Sequence, residues 1–426
     1  MNLEKIIENS VTKRKARTLL IFSSFAWSMV AASVLILSFT LGSIMQEWNL
    51  TKTFTSSLAS STFLGMFLGA ISSGLISDYF GRKTTSIVLL IIGSIFGFLS
   101  GFSTTPAMFM IFRVISGFGF GGLMPAINTY LTEFLHISFR GKYLVFLETS
   151  WAFGSIFIAI IHLLIGRNFS WRSDYYFLIL GLIPAVVLCF FPESPKYLIT
   201  KHKFEKFNKL YKTNLSAKDF DNSLKNVKSI TFFNLFVPKF RKISINIFLL
   251  WFTMSFGYYG IFVWIKDILL NKGVDVVTTD FYTFFMLVAQ LPGFLLSAYL
   301  IEKIGRRKSI LLFTLGTAFS MVFFALSANN ILVLILGLIV SVFCLGAWGI
   351  TYAYTPELFP TQFRGTANGT SGAVTRFAGF LAPFYTSFFI SKDNMMLGLF
   401  GISILFLITG LFNYKFLPET KSKDIY

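Results

Sequence analysis

The chain has 426 residues, 54% of them hydrophobic and only 13% charged, and its mean hydropathy is +0.70. Soluble domains carry about 25% charged residues, so an ordinary water-soluble fold is excluded. The net charge of +18 would suit a nucleic-acid partner, but its placement along the chain assigns it to a membrane surface, and no nucleic-acid partner is expected.

Residues 1–18 are polar and basic, and the apolar run that follows is too long for the core of a cleavable signal. Twelve apolar runs then reach the roughly 20 residues needed to cross a bilayer. They cover residues 19–45, 54–77, 85–103, 107–131, 143–166 and 174–191, and then 243–266, 281–301, 310–327, 331–355, 366–391 and 396–416. Backbone groups in lipid must be satisfied within the segment, so each run is predicted to be a helix. The expected fold class is an all-α integral membrane protein of twelve spans. Its expected domains are a segment 1–18, a six-helix bundle 19–191, a linker 192–242, a second six-helix bundle 243–416 and a tail 417–426. The linker carries twelve Lys and Arg residues and is expected to hold one or two short surface helices. Its last part, Thr231–Arg241, is apolar and basic enough to lie on the membrane interface. With an even number of spans, both termini and the linker share one side, which collects about 29 of the 37 basic residues. That side is predicted to be cytoplasmic and the protein to sit in the cell membrane. Cys189 and Cys344 fall inside apolar runs and are expected to be core hydrophobes rather than a disulfide.

Two motifs repeat at one offset. Asp78-Tyr79-Phe80-Gly81-Arg82-Lys83 returns 224 residues later as Glu302-Lys303-Ile304-Gly305-Arg306-Arg307, and Glu133…Arg140-Gly141 returns as Glu357…Arg364-Gly365. Two unrelated motifs at one spacing mark a duplicated unit. All four lie in turns on the basic side, where glycine permits a tight turn. Asp78, Gly81, Arg82, Lys83, Glu133 and Arg140, with Glu302, Gly305, Arg306, Arg307, Glu357 and Arg364, are therefore the candidate cytoplasmic gate. Their ion pairs can latch two bundles in one state and part in the other. The plainer alternative is that these bases only fix topology.

These residues resemble the major facilitator superfamily over essentially the whole chain. Pro192-Glu193-Ser194-Pro195 and Pro418-Glu419-Thr420-Lys421 close the two halves as in sugar porters, and Arg113 followed by Gly117, Gly119 and Gly121 resembles a superfamily motif of the fourth helix. Further stretches resemble a niacin-permease-like branch: Phe146 to Gly154, Trp251-Phe252…Tyr258-Tyr259-Gly260…Trp264, Ala289 to Gly293 and Gly346 to Glu357. The resemblance implies two pseudo-symmetric bundles and solute transport by alternating access. That branch includes proton-linked carriers of aromatic acids and relatives of sugar porters. The chain departs from it in the first span, where Val30 and Ser33 stand at positions usually acidic, so the proton role of a first-helix acid cannot be carried over.

Ionisable groups inside a span are functional candidates. Three are clear, Arg113, Glu148 and Arg376, with His162 nearer the outer end of its span. At 1.5 Å per residue, Arg113 lies about 9 Å inside one edge and Glu148 about 9 Å inside the other, which makes a direct pair awkward. One arginine is expected to meet an anionic substrate, its planar fork matching a carboxylate. The alternative is that Arg113 bonds helix-end carbonyls and water while Arg376 pairs with Asp78 or Glu148. Glu148 is the candidate proton carrier, or else a purely structural part of the gate. Trp151, Tyr258, Tyr259, Trp348, Tyr352 and Tyr354 are candidate stacking residues, with packing as the plainer alternative, and Asn128 and Gln290 are candidate hydrogen-bonding residues.

No phosphate loop, metal cluster or nucleophile–base set is visible, so no enzyme activity, cofactor or metal is expected. The expected partners are a small-molecule substrate, protons and the lipid bilayer, with a monomer as the working unit. The leading expectation is proton-linked uptake of an organic carboxylate, aromatic ones included. The alternatives are a sugar transporter and a membrane sensor on the same fold.

Overall fold

The apolar runs fold into helices that extend past their hydrophobic limits, because polar caps lie just outside them. The computed structural model describes residues 13–135, 137–211, 232–391 and 394–421. Twelve helices in it are long and apolar enough to span a bilayer. They are α1 (Arg14–Glu47), α2 (Lys52–Phe80), α3 (Arg82–Phe102), α4 (Pro106–Phe134), α5 (Tyr143–Gly166) and α6 (Trp171–Cys189) in the first half. The second half holds α7 (Pro238–Phe262), α8 (Val276–Ile304), α9 (Arg306–Leu326), α10 (Asn330–Glu357), α11 (Gln362–Ile390) and α12 (Met395–Phe416).

The caps repeat with the motifs. Thr51 accepts the Phe54 amide at the start of α2, and Asp275, 224 residues on, accepts the Thr278 amide at the start of α8. Thr105 and Asn329, again 224 apart, cap α4 and α10 through the amides of Met108 and Leu332. A side-chain oxygen at this position satisfies one of the orphan amides of a first turn.

Helix pairs pack where small residues let backbones touch. A Cβ on Gly65 would lie 2.0 Å from the Val114 carbonyl oxygen, and one on Gly117 would lie 2.2 Å from that of Thr62. α2 and α4 are thus in backbone contact, the common use of glycine between helices in lipid.

The halves meet across their middle and toward the end opposite the basic face. The Ser60 hydroxyl donates to the Phe380 carbonyl (2.8 Å), joining α2 to α11. Phe63 packs on Tyr259, and Phe67 on Phe377.

Several helices are interrupted. α5 ends in a π turn over His162–Gly166, α6 passes through a 3₁₀ segment over Phe177–Gly181, and α8 breaks at Ala289. The linker carries short helices at Pro195–Thr200 and Phe204–Tyr211. Within the stretch expected at the interface, Phe232–Phe236 forms a 3₁₀ turn with Phe233 exposed and Leu235 buried, and α7 begins at Pro238. Cys344 is buried as expected, but Cys189 is exposed at the last turn of α6 and is not a core residue.

Candidate functional site

Near the middle of the helices, both halves line one cavity. Helical spacing decides who reaches it. Glu148 and Trp151 stand three apart on α5, and Leu345, Trp348 and Tyr352 share one face of α10 at intervals of three and four. Tyr258 and Tyr259 of α7, Phe294 of α8, Thr375 and Arg376 of α11, and Met124 of α4 complete the wall.

The aromatic residues form a connected scaffold. Trp348 stacks on Tyr352 with ring centroids 5.7 Å apart and an interplanar angle of 25°. Trp251 sits edge-on to Tyr352 at 4.7 Å, and its indole donates to the Thr355 hydroxyl (2.9 Å), which holds it outside the cavity. The Tyr258 oxygen accepts from the Trp151 indole (3.2 Å) and from Gln290 Nε2 (3.3 Å). One tyrosine thus fixes a tryptophan from the other half. Gln290 is fully buried behind this hydroxyl and acts on the wall rather than lining it.

Two charges face the cavity. Arg376 is 6% exposed and Glu148 is 9% exposed. Arg376 donates from Nη1 to the Gly372 carbonyl (3.2 Å), and its Nη2 lies against Met124 Sδ (2.7 Å), a weak acceptor. Its Nε has no hydrogen-bond partner. Tyr352 reaches the Glu148 carboxyl, and the Arg376 charge acts on that carboxyl through space. The expectation that Arg376 pairs with Asp78 is not met, since Asp78 binds Arg82 at the basic face (2.6 Å).

Arg113 is elsewhere. It is fully buried, donating from Nε to Thr62 Oγ1 (3.0 Å), from Nη1 to Ser33 Oγ (3.2 Å) and from Nη2 to the Ser33 carbonyl (2.5 Å). The Tyr175 ring lies 5.5 Å away. Ser33, standing where the branch usually has an acid, thus takes the arginine with neutral oxygens. Arg113 does not line the cavity, and neither does Asn128, which is half-buried on α4.

At the basic face the duplicated motifs build matching clusters within each half rather than between halves. Arg82 binds Asp78 (2.6 Å) and approaches Glu133 (3.7 Å). Arg306 binds Glu302 (3.1 Å) and forks onto Glu357, with Nε–Oε2 at 3.0 Å and Nη2–Oε1 at 3.1 Å. Arg364 turns away and donates to the Phe359 carbonyl (3.0 Å), so Glu357 pairs with Arg306 and not with Arg364. The Arg140 side chain lies outside the described residues. The reason is the turn: Gly81 and Gly305 have φ of +105° and +88°, which start α3 and α9 with Arg82 and Arg306 aimed at the ends of α4 and α10.

The closing motifs complete each cluster, a role the sequence reading missed. The Glu193 carboxylate accepts the Lys83 amide (2.9 Å). The Glu419 carboxylate accepts the amides of Arg306 (2.8 Å), Arg307 (3.1 Å), Thr420 (3.0 Å) and Lys421 (3.0 Å). Burial alone would raise the Glu419 pKa, and these backbone donors outweigh it and hold it below the ordinary range. The Ser194 hydroxyl donates to Glu133 and the Thr420 hydroxyl to Glu357 (2.5 Å), and Tyr130 and Tyr354, 224 residues apart, donate to the carbonyls of Pro192 and Pro418. Lys83 Nζ reaches the Cys189 carbonyl (2.6 Å), and Arg307 bonds the Tyr414 carbonyl over the Tyr414 ring.

This geometry has relatives. The profile of a family described as "Sugar (and other) transporter" matches residues 8–426. The chain belongs to this family, within the major facilitator superfamily. It is 33% identical over 413 residues to a Bacillus subtilis (strain 168) protein named as a niacin/nicotinamide transporter, covering 96% of this chain and 98% of that one. It is 31% identical to the niacin transporter NiaP of Acinetobacter baylyi, with 96% and 94% covered. In structure it resembles the inward-open xylose transporter XylE of E. coli, at TM-score 0.79, 20% identity and 96% and 98% coverage. As a family member it is a multi-pass membrane transporter of small molecules.

Proposed function

We propose that the chain takes up a small aromatic carboxylate of the nicotinate type together with a proton, by alternating access. The observation that carries this reading is Arg376: a buried guanidinium with an unpartnered Nε, facing a cavity walled by Trp151, Tyr258, Tyr259, Trp348 and Tyr352. A carboxylate fits the guanidinium fork and a flat ring fits the aromatic wall. Two relatives named for niacin support the same class.

Charge balance supplies the proton link. Arg376 and Glu148 together are neutral in the cavity, and an incoming carboxylate leaves one uncompensated negative charge there. A proton on Glu148 restores balance where burial makes a net charge costly. The basic face is taken as cytoplasmic by the positive-inside rule. The two clusters there then brace each half as a rigid body, and the halves rock about the central cavity. The contacts between Ser60 and Phe380 and between Phe63 and Tyr259 hold the opposite side together, as in an inward-facing state.

A ligand-dependent thermal-shift screen of the purified protein tests the substrate class, since binding stabilises the state it prefers. Nicotinate is expected to stabilise the wild type, and Arg376→Gln to weaken nicotinate about ten- to a hundredfold, the worth of a hydrogen bond to a charged group. Stabilisation by xylose in place of nicotinate would favour the second reading, a sugar carrier, which the family description supports.

A further inference from the structure

At the end of the bundle opposite the basic face, four ionisable side chains from both halves meet away from the cavity. His162 lies in the π turn that ends α5, Asp174 in the first turn of α6, and Asp280 near the start of α8. Lys266 lies in the short helix Ile265–Asn271 that follows α7. His162, Asp174 and Asp280 are 5%, 0% and 2% exposed.

Each half supplies one close pair, and further contacts join the halves. Within the first half, His162 Nδ1 is 2.7 Å from Asp174 Oδ2. Within the second, Lys266 Nζ is 2.6 Å from Asp280 Oδ1. Between the halves, His162 Nε2 faces Asp280 Oδ1 at 3.7 Å, and Lys266 Nζ donates to the Phe39 carbonyl of α1 (3.2 Å). The Phe39 ring covers the imidazole, with centroids 4.9 Å apart. Asp267, the chain neighbour of Lys266, interacts with both Lys52 and Lys266.

A neutral imidazole that donates Nδ1–H to Asp174 turns the lone pair of Nε2 toward the Asp280 carboxylate, which repels it. Only the imidazolium turns an N–H toward each carboxylate, hydrogen-bonded to Asp174 and within ion-pair range of Asp280. It is also the form that balances the cluster, two carboxylates against one ammonium and one imidazolium, in a site where a net charge is costly.

We propose that this cluster is a proton-operated outer gate: the halves close there when His162 carries a proton and part when the proton leaves. Parting leaves Asp174 with His162 and Asp280 with Lys266, and it breaks the proton-dependent His162–Asp280 contact together with the Lys266–Phe39 bond. The closed state binds more protons than the open one. Its population therefore rises as pH on that side falls, by up to about tenfold per pH unit for one proton. The gate is separate from the cavity and needs no substrate.

Pulsed EPR distances on the full chain in nanodiscs test this. Spin labels go on Asn168→Cys and Ala328→Cys, exposed positions of opposite halves, in a Cys189→Ser/Cys344→Ala background. The short-distance, outer-closed component is expected to grow between about pH 8 and about pH 5.5, the range of histidine titration. His162→Gln is expected to abolish that response, and Glu148→Gln to keep it. Asp280→Asn is expected to stay closed at both pH values, because the cluster is then balanced with a neutral imidazole, a gain that misfolding cannot mimic. A pH-independent wild type, a response that survives in His162→Gln, a response lost in Glu148→Gln, or a wild-type response in Asp280→Asn would each overturn the proposal.

Discussion

Gly305→Ala tests whether the duplicated turn needs its glycine for backbone conformation. Gly305 sits at φ +88°, ψ +168°, a region almost closed to residues with a Cβ. An added Cβ would also lie 2.4 Å from Glu419 Oε2, so either the backbone or the capping carboxylate must move. The backbone term is about 1–3 kcal/mol. Displacing the carboxylate loosens the amides of Arg306 and Arg307 at the start of α9, with a further cost of about 1–3 kcal/mol. The expected outcome is a fall of several degrees in apparent Tm by differential scanning fluorimetry in detergent. Gly81→Ala should match it, since Gly81 has φ +105° and its Cβ would lie 2.3 Å from Glu193 Oε2. Gly365→Ala is the control: it belongs to the other duplicated motif, is helical, and its Cβ would meet nothing within 4 Å. Alanine there should be neutral or slightly stabilising. A Gly305→Ala protein as stable as wild type would refute the reasoning, as would equal losses in Gly305→Ala and Gly365→Ala.

Two further outcomes follow from the same geometry. The Glu419 carboxylate has a depressed pKa in the folded state, so its stabilising effect is present above the unfolded carboxylate range and is lost as pH falls through the folded value. Thermal melts should therefore lose stability below about pH 4, and Glu419→Gln should be less stable at neutral pH with a shallower acid loss; a variant identical to wild type at both pH values would contradict this. Arg113→Gln should lower stability by about 1–3 kcal/mol through its unsatisfied partners at Thr62 and Ser33, yet leave nicotinate affinity unchanged, because Arg113 is sealed away from the cavity. A loss of affinity measured by calorimetry would place Arg113 in the binding site instead.

Hydropathy located the helices because burial in lipid demands long apolar runs, and the fourth run, 107–131, falls inside the helix Pro106–Phe134. It failed at capped ends. The eighth run was trimmed to 281, but the helix starts at Val276, so polar Asp280 fell outside it and its meeting with His162 was not visible. The repeat revealed two halves but not which charges meet: Glu357 was matched to Arg364 by the motif, while the left-handed glycine turn delivers Arg306 instead. The closing motifs were legible as markers only. That Glu193 and Glu419 cap α3 and α9 depends on chain folding back over more than 100 residues. For the cavity, aromatic residues and charges inside spans were readable, and Tyr258, Tyr259, Trp151, Trp348, Tyr352, Glu148 and Arg376 do come together. Depth along each span was readable and set Arg113 apart from Glu148, but the direction each side chain takes was not, and so Arg113, Asn128, Gln290 and Tyr354 were grouped with them. Met124 carried no signal, since an apolar residue among others gives no sign that it touches a guanidinium.

The central claim, that one proton on Glu148 accompanies one carboxylate on Arg376, is tested most directly in proteoliposomes. The measurement is uptake of radiolabelled nicotinate driven by an acid-outside pH gradient, alongside nicotinate exchange without a gradient. Accumulation and exchange are expected in the wild type, exchange without accumulation in Glu148→Gln, and loss of both in Arg376→Gln. Accumulation at the wild-type level in Glu148→Gln, or unchanged nicotinate affinity in Arg376→Gln, would contradict it.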